Sequence, residues 1–126
     1  MVNYSFLTEK SKEGALLDLK ADIVRVLIKN NGTSWETDLV QDLKSFRELT
    51  DRSREIEKTE VKNALDELSE SNLLRIEDRL RASRSGSKED SLINLEDLED
   101  ARTTFSNDDK LREYDKAISE IYFEGN

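Results

Sequence analysis

The chain has no cysteine, no histidine and no proline, and only four glycines and one tryptophan in 126 residues. Without cysteine there is no disulfide, no thiolate nucleophile and no Cys-ligated zinc. Without histidine the commonest acid–base group is missing. No run of about 18 apolar residues occurs, so no membrane-spanning helix is expected. The N-terminus, MVNYSFLTEK, lacks the basic region and apolar core of a signal peptide. An intracellular, cytoplasmic protein is expected. There is no Gly-rich phosphate loop and no calcium-loop spacing. Acidic pairs such as Glu99–Asp100 and Asp108–Asp109 are common on solvated helices. No metal, no cofactor and no enzymatic activity is expected.

What the chain has in abundance is charge. Charged residues are 39% and hydrophobic residues 35%, with a formal net charge of −9. One lean domain with a charged surface is the expected result. The acidity is unevenly placed. Residues 1–88 hold 16 Lys/Arg against 17 Asp/Glu, whereas residues 89–126 hold 4 against 12. One stretch goes against the trend: RLRASRSGSK, Arg79 to Lys88, has four basic residues and no acid. An acidic whole disfavours strong non-specific nucleic-acid binding but leaves room for a local contact.

Residues 1–11 show no period and read as an N-terminal arm, which Tyr4 and Phe6 pin to the core. From about Lys12 to Asn30 the pattern is helical. Leu16, Leu19, Ile23, Val26 and Leu27 share a face that Leu17, Val24 and Ile28 widen, so this helix is expected to be buried on more than one side. Gly32 suits the left-handed position after it. Thr33 and Glu36 have capping-box spacing, with Ser34 as another cap. A second helix is expected over Trp35–Leu49, with Leu39, Leu43, Phe46 and Leu49 inward. A third starts near Thr59, read as its N-cap, with Val61, Ala64, Leu65 and Leu68 as its stripe. Asn72 suits a positive φ at its end. Leu74, Ile76 and Leu80 suggest a strand with an irregularity at Glu77–Arg79. SRSGS is a turn signal, and Ser91–Leu95 reads as the returning strand. The acidic remainder, residues 96–126, reads as one or two helices. One begins at about Glu96, and another follows a cap at Ser106 or Asn107.

Three helices followed by a hairpin, with LDELSESNLL running straight into the first strand, resemble the winged helix-turn-helix family. The resemblance covers about residues 12–98. SNLLRIE leads into the wing, and RASRSGSKED forms its tip. The link RELTDRSREIEK is longer than that family's usual turn. The implied fold is α+β, mainly helical: a winged helix-turn-helix over residues 12–95 with a C-terminal helical extension over 96–126.

The resemblance implies a DNA-binding transcriptional regulator that takes double-stranded DNA as its partner. Arg79, Arg81, Arg84 and Lys88 on the wing would meet phosphates or a narrow minor groove. The other reading of the same stretch is a solvated hairpin turn. On the third helix, Thr59, Lys62 and Asn63 stand at the end that reads bases in helix-turn-helix proteins, and Asn can pair bidentately with adenine. Lys58, Arg52 and Arg54 in the preceding link could add phosphate contacts. Asp66, Glu67 and Glu70 would repel phosphate, so a merely solvated face stays open here. The alternative function is a winged-helix protein-interaction module without DNA binding. Leu111, Tyr114, Ile118 and Ile121 form a final stripe. It either docks on the first helix or pairs with a second copy as the dimerisation helix, and Tyr122 and Phe123 add to its apolar end.

Overall fold

The computed structural model describes residues 4–10, 14–52 and 55–124. Its elements are α1 (Ser5–Lys10), α2 (Ala15–Lys29), β1 (Thr33–Trp35), α3 (Glu36–Leu49), α4 (Lys58–Glu70), β2 (Leu74–Ser83), β3 (Gly86–Leu95), α5 (Leu98–Thr104) and α6 (Asp109–Glu124). The fold is α+β and mainly helical, with one antiparallel sheet in the order β1-β3-β2.

Helix α2 is the centre. Every residue from Ala21 to Leu27 is buried, and α1, α3, α4 and α5 all pack against it. Its apolar residues alone cannot explain this, because Asp22 and Arg25 are buried with them. Leu39, Leu43 and Phe46 of α3 and Val61, Ala64, Leu65 and Leu68 of α4 complete the core with Leu74 and Ile93 of the sheet. Fully burying each of the larger side chains contributes about 1.5–3 kcal/mol. Leu16, expected inward, is instead largely exposed near the start of α2.

Helices α2, α3 and α4 end alike. Asn31, Asp51 and Asn72 take φ values of 61°, 55° and 61°. In each case the next residue's N–H returns to a carbonyl in the last turn: Gly32 to Leu27 at 2.7 Å, Arg52 to Arg47 at 2.7 Å, Leu73 to Leu68 at 3.0 Å. These are Schellman endings. The left-handed residue after α2 is thus Asn31, and Gly32 is the one beyond it. Gly32 also has a positive φ, and a Cβ there would stand 3.3 Å from Leu98 Cδ2.

Several local expectations are corrected. The N-terminal segment is not an irregular arm but carries α1. Tyr4 and Leu7 anchor it, whereas Phe6 is exposed. The Tyr4 hydroxyl donates to the Leu73 carbonyl at 2.7 Å and also meets the Glu96 carbonyl. Burial, and then Asp100, Asp97 and Glu96, raise its pKa far above the usual value.

Thr33 and Ser34 do not cap α3. They lie in β1 and pair with Asn94 and Ile93 of β3. The hairpin has no irregularity at Glu77–Arg79: ten pairs run unbroken from Leu74↔Leu95 to Ser83↔Gly86. Apolar alternation fades there because Asp78 and Arg79 are exposed. Arg84 and Ser85 make the turn, and Gly86 follows with φ 116°. Helix α5 begins at Leu98 behind an Asp97 cap rather than at Glu96. Asp108, not Ser106 or Asn107, caps α6, accepting the Leu111 N–H at 3.0 Å.

An ion lattice joins these helices. Arg25 Nη1 lies 2.8 Å from Asp22 Oδ1 and Arg47 Nε 2.8 Å from Asp22 Oδ2. Arg52 reaches Asp22 Oδ1 at 2.9 Å and Asp18 at 2.8 Å, and Arg47 also reaches Asp18. Arg25 holds Asp108 with two bonds, at 2.8 and 2.9 Å. Three arginines face three aspartates, so the cluster is neutral. Burial works against the Arg25 charge, but Asp108 and then Asp22 outweigh it and raise its pKa. The ring of Phe105 lies under Arg25 and that of Phe46 under Arg52.

Candidate nucleic-acid interface

The N-cap of helix α4 lies two residues earlier than expected. Thr59 is inside its first turn, and Glu57 is the N-cap. The Glu60 carboxylate accepts the Glu57 N–H at 3.4 Å, the return half of a capping box. Ile56 before the cap and Val61 in the next turn are both buried, at the spacing of a hydrophobic staple. These contacts fix the entry into α4 and leave Lys58, Thr59, Lys62 and Asn63 exposed on its first turns. Asp66 and Glu70 are exposed further along. Glu67 is taken up by Lys20 at 3.2 Å.

The four basic residues from Arg79 to Lys88 fall into three situations. Arg84 stands in the turn and Lys88 on β3. Both are exposed, and no described side chain pairs with either. Arg79 is exposed and leans on Glu77 of its own strand at 2.8 Å. Such a surface pair is worth about 0–1 kcal/mol and breaks readily.

Arg81 is different. It binds Asp38 at 3.0 Å and Asp90 at 3.2 Å, and its guanidinium lies 5.3 Å from the centre of the Trp35 ring. Arg81 therefore fastens the hairpin to β1 and the start of α3. Burial opposes its charge, but Asp38 and Asp90 raise its pKa.

No side chain at the N-cap of α3, Trp35, bonds the helix. The Asp90 carboxylate from β3 accepts from the Ser91 N–H at 2.9 Å and from Arg81 at 3.2 Å. Burial pushes the Asp90 pKa up. The Ser91 N–H, the Thr37 hydroxyl, Arg81 and the Thr37 N–H outweigh it and hold the carboxyl below its ordinary range. Recognising this needs β1, because β1 places Trp35 and Thr37 beside β3.

Arg52, expected at phosphate, points inward to Asp18 and Asp22. Arg54 lies outside the described residues. In α6 the structure divides the expected stripe. Leu111 is buried, and Tyr114 stacks on Phe46 of α3 with ring centres 5.0 Å apart. Lys29 of α2 pairs with Asp115. The first turns therefore dock on their own chain, chiefly on α3 rather than on α2. Ile118 is half-buried, and Ile121 is 55% and Tyr122 71% exposed. The Phe123 side chain lies outside the described residues.

Among the described residues, no cluster of His, Cys, Asp or Glu is arranged to hold a metal ion. No helix among them is long and apolar enough to cross a membrane. No protein-family model, curated protein or solved structure matches the chain.

Proposed function

We propose that the chain is a winged helix-turn-helix module that binds double-stranded DNA as a transcriptional regulator. The element order α2-β1-α3-α4-β2-β3 and the sheet order β1-β3-β2 support the fold reading. They supply the short strand that the sequence did not reveal.

One observation carries the functional reading. Most described cations are tied to an acid or amide of the same chain, but Lys44, Lys58, Lys62, Arg84, Lys88 and Lys116 are not. Four of these six, Lys58, Lys62, Arg84 and Lys88, stand at the start of α4 and around the hairpin tip, the two places where a winged helix meets DNA. The start of α4 enters the major groove, with Asn63 set to read an adenine and Lys62 a phosphate. Arg84 and Lys88 track phosphates from the tip, and Arg79 joins them by exchanging Glu77 for DNA. Asp66 and Glu70 limit how deep α4 lies. Ile118 and Ile121 on the outer end of α6 are the surface for a second copy, which gives two-fold symmetry to match a palindromic site.

A specific observation favours a second reading. Arg81 is spent on Asp38 and Asp90, and the far half of α4 is acidic, so a basic protein surface is the competing partner. Gel shifts of random duplex DNA at about 50 and 200 mM salt separate the two. DNA binding predicts a shifted band that weakens steeply with salt. No shift at the lower salt points to the protein-interaction module.

A further inference from the structure

We propose that the buried lattice couples the seating of α6 to the link that leads into α4, with the Asp22 carboxylate as the shared element. Asp108 does two things at once. It caps α6 by accepting the Leu111 N–H at 3.0 Å. It also grips Arg25 through two bonds of 2.8 and 2.9 Å. The remaining Arg25 nitrogen, Nη1, donates to Asp22 Oδ1 at 2.8 Å. That same oxygen accepts from Arg52 Nη2 at 2.9 Å. Three side chains thus connect the first turn of α6 to the link residue Arg52.

The sharing makes the connection a coupling rather than a chain of independent contacts. Asp22 is fully buried, and its other oxygen faces Arg47 Nε at 2.8 Å. When α6 lifts, Arg25 loses both bonds to Asp108 while staying in the interior. An unpaired buried charge is strongly unfavourable, so Arg25 must draw more on Asp22. Arg52 is the member that can yield, because it is 19% exposed against 3% for Arg25 and 4% for Arg47. Its release frees the Schellman turn after α3, where the Asp51 and Arg52 amides bond to Glu48 and Arg47. That turn opens the segment that brings Ile56 and Glu57 to the start of α4. By reciprocity, loosening the turn unseats α6. A partner or second chain that moves α6 would in this way reach α4 without touching it. The coupling is independent of the DNA reading, since it concerns only contacts within the chain.

Hydrogen exchange of the full chain tests it. Asp108→Ser keeps a good N-cap but removes the carboxylate from Arg25. The Asp51 and Arg52 amides should then exchange about tenfold faster or more. Asp115→Asn is the control: it breaks the α6 ion pair with Lys29, which lies outside the lattice, and should leave those two amides unchanged. Arg52→Gln should in turn speed exchange at Leu111 and Arg112. The double variant Asp108→Ser with Arg52→Gln should open either end less than the product of the single effects. If Asp108→Ser does not fold, Asp108→Asn carries the same comparison with a smaller rise. Unchanged Asp51 and Arg52 amides in a folded Asp108 variant would overturn the proposal. So would an equal rise in Asp115→Asn, or single effects that simply multiply.

Discussion

The arginines among the helices and those on the hairpin carry the same charge in different surroundings. Arg25 and Arg47 are 3% and 4% exposed and meet aspartates from neighbouring elements. Arg75 and Arg79 are 59% and 58% exposed and lean on nearby glutamates. In the interior each guanidinium is a structural crosslink, and losing its partner leaves a buried charge. On the hairpin, Arg75 and Arg79 exchange one partner for another at little cost. A basic residue in this chain is available to a ligand where the fold leaves it exposed, with no partner or only an exposed one. Arg81 lies between the two classes, on the hairpin but held by two acids and an aromatic ring.

The sharpest way to break this comparison is to remove one acid from each region. Asp22→Ala strips Arg25, Arg47 and Arg52 of their common partner and should cost about 3–5 kcal/mol in urea unfolding. That is a large part of the roughly 5–15 kcal/mol that holds a domain of this kind together. Glu77→Ala on the hairpin should change stability by no more than about 1 kcal/mol. Similar losses from the two would remove the distinction.

A smaller effect is expected where the hairpin meets α3. Asp90→Ala removes the carboxylate that accepts from Arg81 and the Ser91 N–H, and a lost hydrogen-bond partner of this kind typically costs about 1 kcal/mol. The same group predicts a pH dependence. Its folded pKa is lowered, so its contribution is fully present above the unfolded value of about 3.9 and is lost as pH falls through the folded value. Thermal melts from pH 6 to pH 2.5 should show Asp90→Asn losing less stability over that range than the parent chain. A parallel decline would show that the carboxylate does not contribute as described.

At the hairpin tip, Gly86→Ala forces a side chain into φ 116°. It should cost about 1 kcal/mol or slightly more without any clash, because nothing lies within 4 Å of the added methyl. The smallest effect on folding belongs to the end of α6. Ile121→Asp, an exposed change, should alter stability by about 0.5 kcal/mol or less. If a second copy seats there, it should turn a dimer into a monomer in light scattering at about 100 μM, a range in which weak association is visible. A parent chain that is already monomeric would remove the dimer from the account.

Helices α2, α3 and α4 could be read from the sequence because their apolar residues recur at the spacing that one buried face demands. β1 could not. Three residues, Thr33–Trp35, carry no period of their own and become a strand only by pairing with Leu92–Asn94, about sixty positions away. Their side chains also imitate a capping signal for α3, although they pair in the sheet. The lattice left a trace that periodicity alone does not decode. Asp22 and Arg25 stand three apart in a helix that is apolar on nearly every side, so both had to be buried and paired. Which acid would meet Arg25 from outside the helix depended on where α6 begins, and Asp108 is eighty-three residues away. At the candidate interface the exposed start of α4 and the basic tip were legible as local patterns. That Arg81 and Arg52 are held by acids of other elements was not, since those acids arrive through the tertiary fold.

The central claim is that the start of α4 and the hairpin tip touch DNA together. The most direct test is the salt dependence of duplex binding, by fluorescence anisotropy, for the parent chain and for Lys62→Ala with Arg84→Ala. If both side chains neutralise phosphates, the log–log slope should fall by about 2 while the melting temperature is preserved. An unchanged slope in the folded double variant, or no binding by the parent chain at about 50 mM salt, would contradict the account.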